Sequence, residues 1–195
     1  MICFKPYFWN SSIDSLENID GIVFRKNGTT IRTQPSIKVS DLDSLGDYAY
    51  DLLRAGLYTE ERSHSGPMPS GTLFADWLVS HGCPIGCEFC TSPNMHGKSI
   101  RAFSPERVRK QAQAIKKQGF SRVNVEDDQF LMIPRKSLTA MIDELGKQGL
   151  EWEVDAGVYY PLVPKNQAVF EMAAANGLKR LYLPMEHPSA NIMHA

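Results

Sequence analysis

The stretch HGCPIGCEFC, residues 81–90, contains three of the four cysteines of the chain, at positions 83, 87 and 90. Cysteines this close together, with Gly86 between two of them, are typical of ligands that converge on one centre. A disulfide framework would instead join distant segments of a small secreted domain. The remaining cysteine, Cys3, has no partner nearby in sequence and is expected to be a buried or free thiol.

Two kinds of metal centre are compatible with this spacing. Thiolates separated by three and then two residues can reach three corners of a cuboidal iron–sulfur cluster and leave one iron without a protein ligand. Structural zinc is the alternative, and it normally has four ligands, typically arranged as two separated pairs. The chain has a single C-x2-C pair, although His81 or His96 can complete a Cys3His site. Residue types alone leave both centres open.

Downstream of the cysteines, the sequence repeats a helix–strand unit. Ser104 and Pro105 have the types preferred at a helix N-cap and first position. Apolar residues recur at helical spacing in three segments, and each predicted helix ends at a glycine and is followed by an apolar strand. The inward-facing residues are expected to be Val108, Ala112 and Ile115, then Leu138, Met141, Ile142 and Leu145, then Val169, Met172 and Ala173, with terminal glycines at 119, 149 and 177.

Acidic residues follow the predicted strands. An additional strand, TLFADWLVS, precedes the cysteines, and the alternation of helices and strands predicts a parallel sheet, either barrel-like or doubly wound. Active sites in such folds lie at the carboxyl ends of the strands. The acids expected to share that edge with the cysteine loop are Glu126, Asp127, Asp128, Asp155 and Glu186.

The first seventy residues have a different pattern. Two short β-rich runs surround Asn27-Gly28, which predicts a hairpin with a type I′ turn. The segment DLDSLGDYAYDLL is expected to form a short linker and helix, and HSGPMPSG is a Gly/Pro/Ser-rich boundary. We therefore expect an N-terminal hairpin and linker region over residues 1–70 and a core domain over residues 71–195.

Composition restricts the class of protein. The 195 residues include 21 Lys+Arg and 22 Asp+Glu, so the net charge of -1 provides no overall positive field to attract nucleic acid. No apolar run approaches the roughly 18 residues of a membrane span, and the N-terminus lacks the pattern of a signal peptide. We expect a cytoplasmic protein that binds neither nucleic acid nor membranes.

The segment Cys83-Pro-Ile-Gly-Cys87-Glu-Phe-Cys90 resembles the C-x3-C-x-aromatic-C signature of the radical S-adenosylmethionine (radical SAM) superfamily. The resemblance implies that Cys83, Cys87 and Cys90 bind a [4Fe-4S] cluster whose fourth iron is chelated by SAM. In that superfamily, an electron from the cluster cleaves SAM to methionine and a 5′-deoxyadenosyl radical, which abstracts hydrogen from a substrate. An electron donor such as flavodoxin or ferredoxin is then an expected partner, and the substrate is unknown.

The resemblance also implies roles for residues outside the cysteine motif. Phe89 matches the aromatic residue near the SAM adenine. The run Glu126-Asp127-Asp128 stands where the family has an acidic motif for the SAM amino group, but it departs from the common Gly-Gly-Glu form and leaves open which acid acts. Glu186 matches a polar residue that hydrogen-bonds the ribose or amino-acid part of SAM. Taken alone, the three consecutive acids are better explained as a solvated loop that caps the following helix.

Within the superfamily, VEDDQFL and the hairpin lead-in resemble the cobalamin-binding branch, which includes methyltransferases. No D-x-H-x-x-G motif occurs in the chain, so cobalamin is expected only through a missing domain or a partner. The fold expected is α/β, a partial (β/α) radical SAM barrel with about four βα units of six, after an N-terminal hairpin. Such a chain is expected to be a fragment, a split protein completed by another chain, or a degenerate copy.

The sequence thus favours a radical SAM enzyme, with methyl transfer among the reactions open to it. The alternatives are a zinc-stabilised α/β binding module without catalytic activity and an inactive fragment of a radical SAM protein.

Overall fold

The computed structural model describes residues 13–53, 62–63, 66–67, 72–184 and 189. The chain divides into two compact units, Met1–Val39 and Ser40–Ala195. Two residues singled out in the sequence, Cys3 and Glu186, lie outside the described residues. The predicted domain boundary near residue 70 stays a prediction.

The first unit contains a β-hairpin after a 3-10 helix at Ile13–Asn18. Strand β1 (Val23–Lys26) pairs antiparallel with β2 (Thr29–Arg32). The two turn residues both have positive φ, 50° at Asn27 and 80° at Gly28, which is the conformation of a type I′ turn. The hairpin predicted from Asn27-Gly28 is therefore confirmed.

The second unit is built on a four-stranded parallel sheet. The described strands of the unit as a whole are β3 (Arg62–Ser63), β4 (Gly66–Pro67), β5 (Phe74–Trp77), β6 (Ser80–His81), β7 (Arg101–Ala102), β8 (Arg122–Val125), β9 (Glu151–Val154) and β10 (Leu178–Leu181). The sheet has the order β10-β9-β8-β5, and all neighbouring strands are parallel. Strands β3 with β4, and β6 with β7, form separate antiparallel pairs.

The helices are α1 (Ser92–Met95), α2 (Pro105–Lys117), α3 (Arg135–Lys147) and α4 (Gln167–Ala175). As predicted, the Ser104 hydroxyl caps α2 by accepting the N–H of Arg107. The glycines after the three long helices adopt positive φ, 87° at Gly119, 62° at Gly149 and 94° at Gly177. These left-handed residues end each helix and lead the chain into the next strand.

Strands consecutive in the βα series are neighbours in the sheet, as in one part of a (β/α) barrel. Within the described residues the sheet has two edges, β5 and β10, so the barrel is incomplete, as the sequence indicated. In the described part of the chain, no helix combines the length and the apolar character that a membrane span requires.

The two faces of the sheet differ in polarity. One face is apolar and buried, with Ala75, Trp77, Val123, Val125, Trp152 and Val154. The Trp77 indole N–H donates to Gln111 of α2 at 2.9 Å, so this face packs against helices. Because side chains alternate along a strand, the opposite face carries one register row across all four strands, Asp76, Asn124, Glu153 and Arg180.

Residues 40–53 form two single-turn 3-10 helices, Leu42–Ser44 and Tyr50–Leu52, instead of the predicted helix. The Asp41 carboxylate accepts the N–H of Asp43 and opens only one turn. The hydroxyl of Tyr50 donates to the carbonyl of Asp76 at 3.0 Å, and that of Tyr48 reaches the carbonyl of Leu78. Both tyrosines are thus bound to backbone carbonyls of residues 76 and 78, and the segment forms separate single turns in place of one continuous helix.

Candidate functional site

The cysteine loop, defined here as residues 82–97, is closed at its base by an antiparallel ribbon. Ser80 of β6 pairs with Ala102 of β7, and His81 pairs with Arg101. Above the ribbon, the Cys83 N–H donates to the carbonyl of Gly97 at 3.0 Å. The loop therefore leaves and returns to the core at one place.

Gly82 permits the close approach of the two ends of the loop. Its φ is +103°, and a Cβ at this position would lie 2.3 Å from the carbonyl oxygen of Ser99. Gly86, between two of the cysteines, also has a left-handed φ of +75°, but a Cβ there would meet no atom within 4 Å. Of these two glycines, Gly82 is the one required for both its conformation and its lack of a side chain.

The three thiols of the loop are free, with Cys87 exposed and Cys83 and Cys90 partly buried. Burial raises the pKa of the Cys83 thiol, while a hydrogen bond from the Ile85 backbone acts in the opposite direction. The N–H of Ser92 donates to the Cys90 sulfur at 3.4 Å. Three cysteine sulfurs, one of them with a backbone N–H donor, are the ligand types that iron–sulfur clusters use.

The structure does not bring either histidine into a tetrahedral group with the cysteines. The rings of His81 and His96 stack on each other, with centroids 5.5 Å apart and planes at 25°. Burial, and then the neighbouring His96, lower the pKa of His81. Among the described residues, no three His, Cys, Asp or Glu side chains are grouped so as to hold a single metal ion.

Asp127 follows β8 and is completely buried. One carboxylate oxygen accepts the N–H of Val79 at 2.9 Å, and the other accepts the hydroxyl of Ser80. Burial raises the pKa of this carboxyl to about 7, although the hydrogen bonds from Ser80 and Val79 lower it. Asp127 thus connects the end of β8 to the start of β6.

Asp128 contacts the cysteine loop at both ends. Its Oδ2 accepts the N–H of Gly82 at 2.9 Å, and its Oδ1 accepts the hydroxyl of Ser92. Gly82 immediately precedes Cys83, and Ser92 is the second residue after Cys90. One carboxylate therefore contacts both flanks of the three-cysteine segment.

Glu126 is placed differently from the two aspartates. Its backbone N–H donates to the carbonyl of Trp77 at 2.9 Å, which continues the β5–β8 pairing by one residue. Its side chain is partly exposed and accepts a hydrogen bond from the amide of Asn124, which also donates to Asp76 at 3.1 Å. Glu126 therefore belongs to the polar face of the sheet, at its carboxyl edge.

The remaining predicted residues have separate positions. Phe89 is 73% exposed on the cysteine loop. Asp155 directly follows β9 and is buried, at the same edge of the sheet as Glu126. The placement of Glu126, Asp128 and the cysteines at one edge agrees with the sequence-based expectation, whereas a SAM-binding role for any of them stays a prediction.

Sequence reasoning missed Ser80, Ser92 and Asn124, the partners of the three acids. Ser92 follows the cysteine motif by two residues and starts α1, so its position beside the loop was available as a signal. Asn124 is a polar residue in the centre of a buried strand, a pattern that itself indicates a hydrogen-bonding role. Ser80 carried no comparable signal.

No family model matches the chain. It is 24% identical over 181 residues to an uncharacterized methyltransferase from Pyrococcus horikoshii, which covers 91% of this chain and 36% of that protein. It is 27% identical over 122 residues to the bacteriochlorophyllide d C-12(1)-methyltransferase of Chlorobaculum tepidum, covering 60% and 25% of the two chains. The chain thus spans about a third of the length of the first relative and a quarter of the second.

The fold is similar to that of the radical SAM methyltransferase TsrM from Kitasatospora setae, solved with cobalamin and a [4Fe-4S] cluster bound. The TM-score is 0.61 and the identity 14%, over 91% of this chain and 35% of that one. This likeness confirms the expected α/β fold, an incomplete barrel of the radical SAM type.

Proposed function

We propose that this chain is the cofactor-binding core of a radical SAM enzyme that holds a [4Fe-4S] cluster through Cys83, Cys87 and Cys90. The observation that carries the proposal is the cysteine loop itself. Three free thiols lie on one loop, and the Cys90 sulfur accepts a backbone hydrogen bond. The loop is closed at its base and bound to the residues that follow β8. When bound, the cluster supplies the electron for reductive cleavage of SAM.

Of the three consecutive acids, Glu126 is assigned to the SAM amino group. Both oxygens of Asp127 and both oxygens of Asp128 accept hydrogen bonds from residues 79–92. Glu126 instead lies on the polar face of the sheet, where a carboxylate beside a bound ammonium group makes a charge-assisted hydrogen bond. The sequence alone left open which of the three acids would bind the SAM amino group, and this assignment selects one of them.

Two further residues are proposed for the nucleoside part of SAM. The ring of Phe89 is exposed on the cysteine loop, so it is accessible to a nucleoside bound beside the cluster. Glu186 keeps the role that its position in LPMEHPS implies, contact with the ribose or amino-acid part of SAM. Neither assignment is needed for cluster binding.

Methyl transfer is the reaction class that the relatives support. The two relatives described above are named methyltransferases, and TsrM is a radical SAM methyltransferase with bound cobalamin. Cobalamin would reach this chain from a further domain or a partner, and the electron would come from a donor such as flavodoxin or ferredoxin. The substrate is not indicated by any residue of the described chain.

Anaerobic purification tests the proposal. We expect a brown protein with iron and acid-labile sulfide in about a four-to-four ratio per chain. Alanine at Cys83, Cys87 or Cys90 should abolish the cluster, while alanine at Met95, an exposed residue of the same loop, should retain it. A colourless protein with one stoichiometric zinc would overturn the proposal and favour the zinc-stabilised binding module.

A further inference from the structure

We propose that Asp128 is a positioning residue that fixes the cysteine loop for cluster binding and does not contact SAM. This inference rests on the proposed function, because it concerns the same loop. The Asp128 carboxylate accepts the backbone N–H of Gly82 on one side of the three cysteines and the hydroxyl of Ser92 on the other. We call this arrangement the Asp128 clamp.

The clamp connects the loop to a rigid support. Strand β8 is buried along its whole length and pairs with β5 on one side and β9 on the other. Asp128 is three residues beyond the end of β8, and the intervening Asp127 is completely buried with its own hydrogen bonds to Val79 and Ser80. The two aspartates therefore connect one strand to three successive points, the start of β6, the residue before Cys83 and the start of α1.

The two flanks of the loop depend on the clamp to different degrees. The first flank is also held by the Cys83 N–H, which donates to Gly97, and by the β6–β7 ribbon. On the second flank, the Ser92 hydroxyl donates to Asp128 and the Ser92 N–H donates to the Cys90 sulfur. The same residue thus contacts both the clamp and a cysteine ligand. Loss of the clamp should consequently disturb the position of the Cys90 sulfur more than that of Cys83.

Hydrogen-bond chemistry separates the clamp from a role in SAM binding. Asparagine at position 128 retains one oxygen to accept the Gly82 N–H, and its amide N–H can donate to the Ser92 hydroxyl, which also accepts hydrogen bonds. Asparagine thus preserves the clamp but removes the negative charge that an ammonium group requires. Alanine at position 128 removes both the clamp and the negative charge.

The experiment compares D128A, D128N and S92A with the unaltered chain and with D51A, an exposed aspartate in the same unit. Each protein is reconstituted anaerobically, and iron and sulfide content, loss of iron to a chelator and the electron paramagnetic resonance spectrum of the reduced cluster are measured without SAM. SAM binding is then titrated separately. The chelator assay and the spectrum do not require turnover.

We expect D128A to retain iron roughly 10–100-fold less strongly in the presence of the chelator. A loss of metal affinity of this size is typical when residues that orient metal ligands are removed. S92A should show a smaller loss and an altered spectrum, because the group that orients the Cys90 sulfur is displaced. D128N should restore retention and spectrum and should bind SAM with nearly unchanged affinity. The D128A/S92A double variant should lose little more than D128A, because both changes break one hydrogen-bonded unit.

Two results would overturn the inference while leaving the proposed function intact. The first is a D128A protein with unchanged iron retention and spectrum. The second is a D128N protein with a normal cluster and roughly tenfold or greater loss of SAM affinity. That result would show that the charge of Asp128 contributes to SAM binding. If D128A fails to fold, D128N and S92A still distinguish the two roles. Failure of the unaltered chain to bind any cluster would instead contradict the proposed function.

Discussion

The buried carboxylate of Asp127 accepts a hydrogen bond from the backbone N–H of Val79, a residue 48 positions earlier in the chain, at 2.9 Å. The contact joins the end of β8 to the segment that enters the cysteine loop. A carboxyl group that is completely removed from water makes this junction sensitive to protonation.

Asp127 should make the free energy of unfolding depend on pH. Burial raises its pKa to about 7, and the neighbouring charge of Asp128 adds to the increase. The folded state then binds more protons than the unfolded state between about pH 4 and pH 7, so the free energy of unfolding falls as pH rises across this window. The contribution is roughly 4 kcal/mol at most.

Urea denaturation of the unaltered chain and of D127N, at a series of pH values across that window, measures this effect. Asparagine can still accept the Val79 N–H, so the variant should lose stability with rising pH less steeply than the unaltered chain. Tyr48, whose pKa is raised to about 12 mainly by burial, stays neutral throughout. Parallel stability profiles would show that Asp127 is already ionised at low pH.

Neutralising Glu126 should weaken SAM binding. E126Q removes the charge proposed to face the ammonium group, and the loss of a hydrogen bond between charged groups corresponds to about 1.5–3 kcal/mol, or roughly a 10–100-fold increase in Kd. Calorimetric titration of SAM into the reconstituted protein measures it, with E171Q on the exposed surface of α4 as the matched control. Unchanged affinity together with a normal cluster would remove Glu126 from the SAM site.

Gly82 and Gly86 of the cysteine loop should differ in their tolerance of alanine. G86A should cost only the backbone strain of a left-handed residue, about 1–2 kcal/mol, because no atom lies near the added Cβ. G82A adds a close contact with the Ser99 carbonyl and should destabilise the chain more and lower its iron content. Denaturation and iron analysis of the pair provide the test, and equal effects would contradict the close approach at Gly82.

Removal of the α2 cap should destabilise the second unit. The Ser104 hydroxyl accepts the N–H of Arg107 at 3.1 Å, and replacement of such a cap by alanine costs about 0.5–2 kcal/mol. We expect S104A to lower the midpoint of thermal unfolding and S104T, which retains a hydroxyl, to recover most of the loss. If S104T is as unstable as S104A, the hydroxyl makes no contribution through the cap.

The parts of the fold that depend on local sequence were predictable. Ser104-Pro105 correctly predicts where helix α2 begins, and Gly119 predicts where it ends. The spacing of the apolar residues in α3 predicts its buried positions, Leu138, Met141, Ile142 and Leu145. These features arise from interactions within a few residues. The type I′ turn at Asn27-Gly28 belongs to the same class.

The hydrogen-bond partners of the acids were not predictable, because they depend on contacts between distant segments. Glu126, Asp127 and Asp128 are consecutive and chemically alike, yet one lies on the polar face of the sheet and two bind residues 79–92. Nothing in the local pattern separates a carboxylate that accepts a backbone N–H from one that faces a ligand. The helix predicted within residues 41–53 was wrong for a related reason, since Tyr48 and Tyr50 are held by the β5 segment.

The ribbon formed by β6 and β7 has a consequence for how a cluster would be acquired. Bringing the two ends of a flexible segment together costs conformational entropy, because it closes a loop. Here the ends are joined by strand pairing and by the Cys83–Gly97 hydrogen bond, both of which form from protein groups alone. A zinc finger, by contrast, is unfolded until metal binding drives its folding. We therefore expect the cysteine segment to be preorganised before iron arrives, so that cluster insertion and chain folding are thermodynamically separable events.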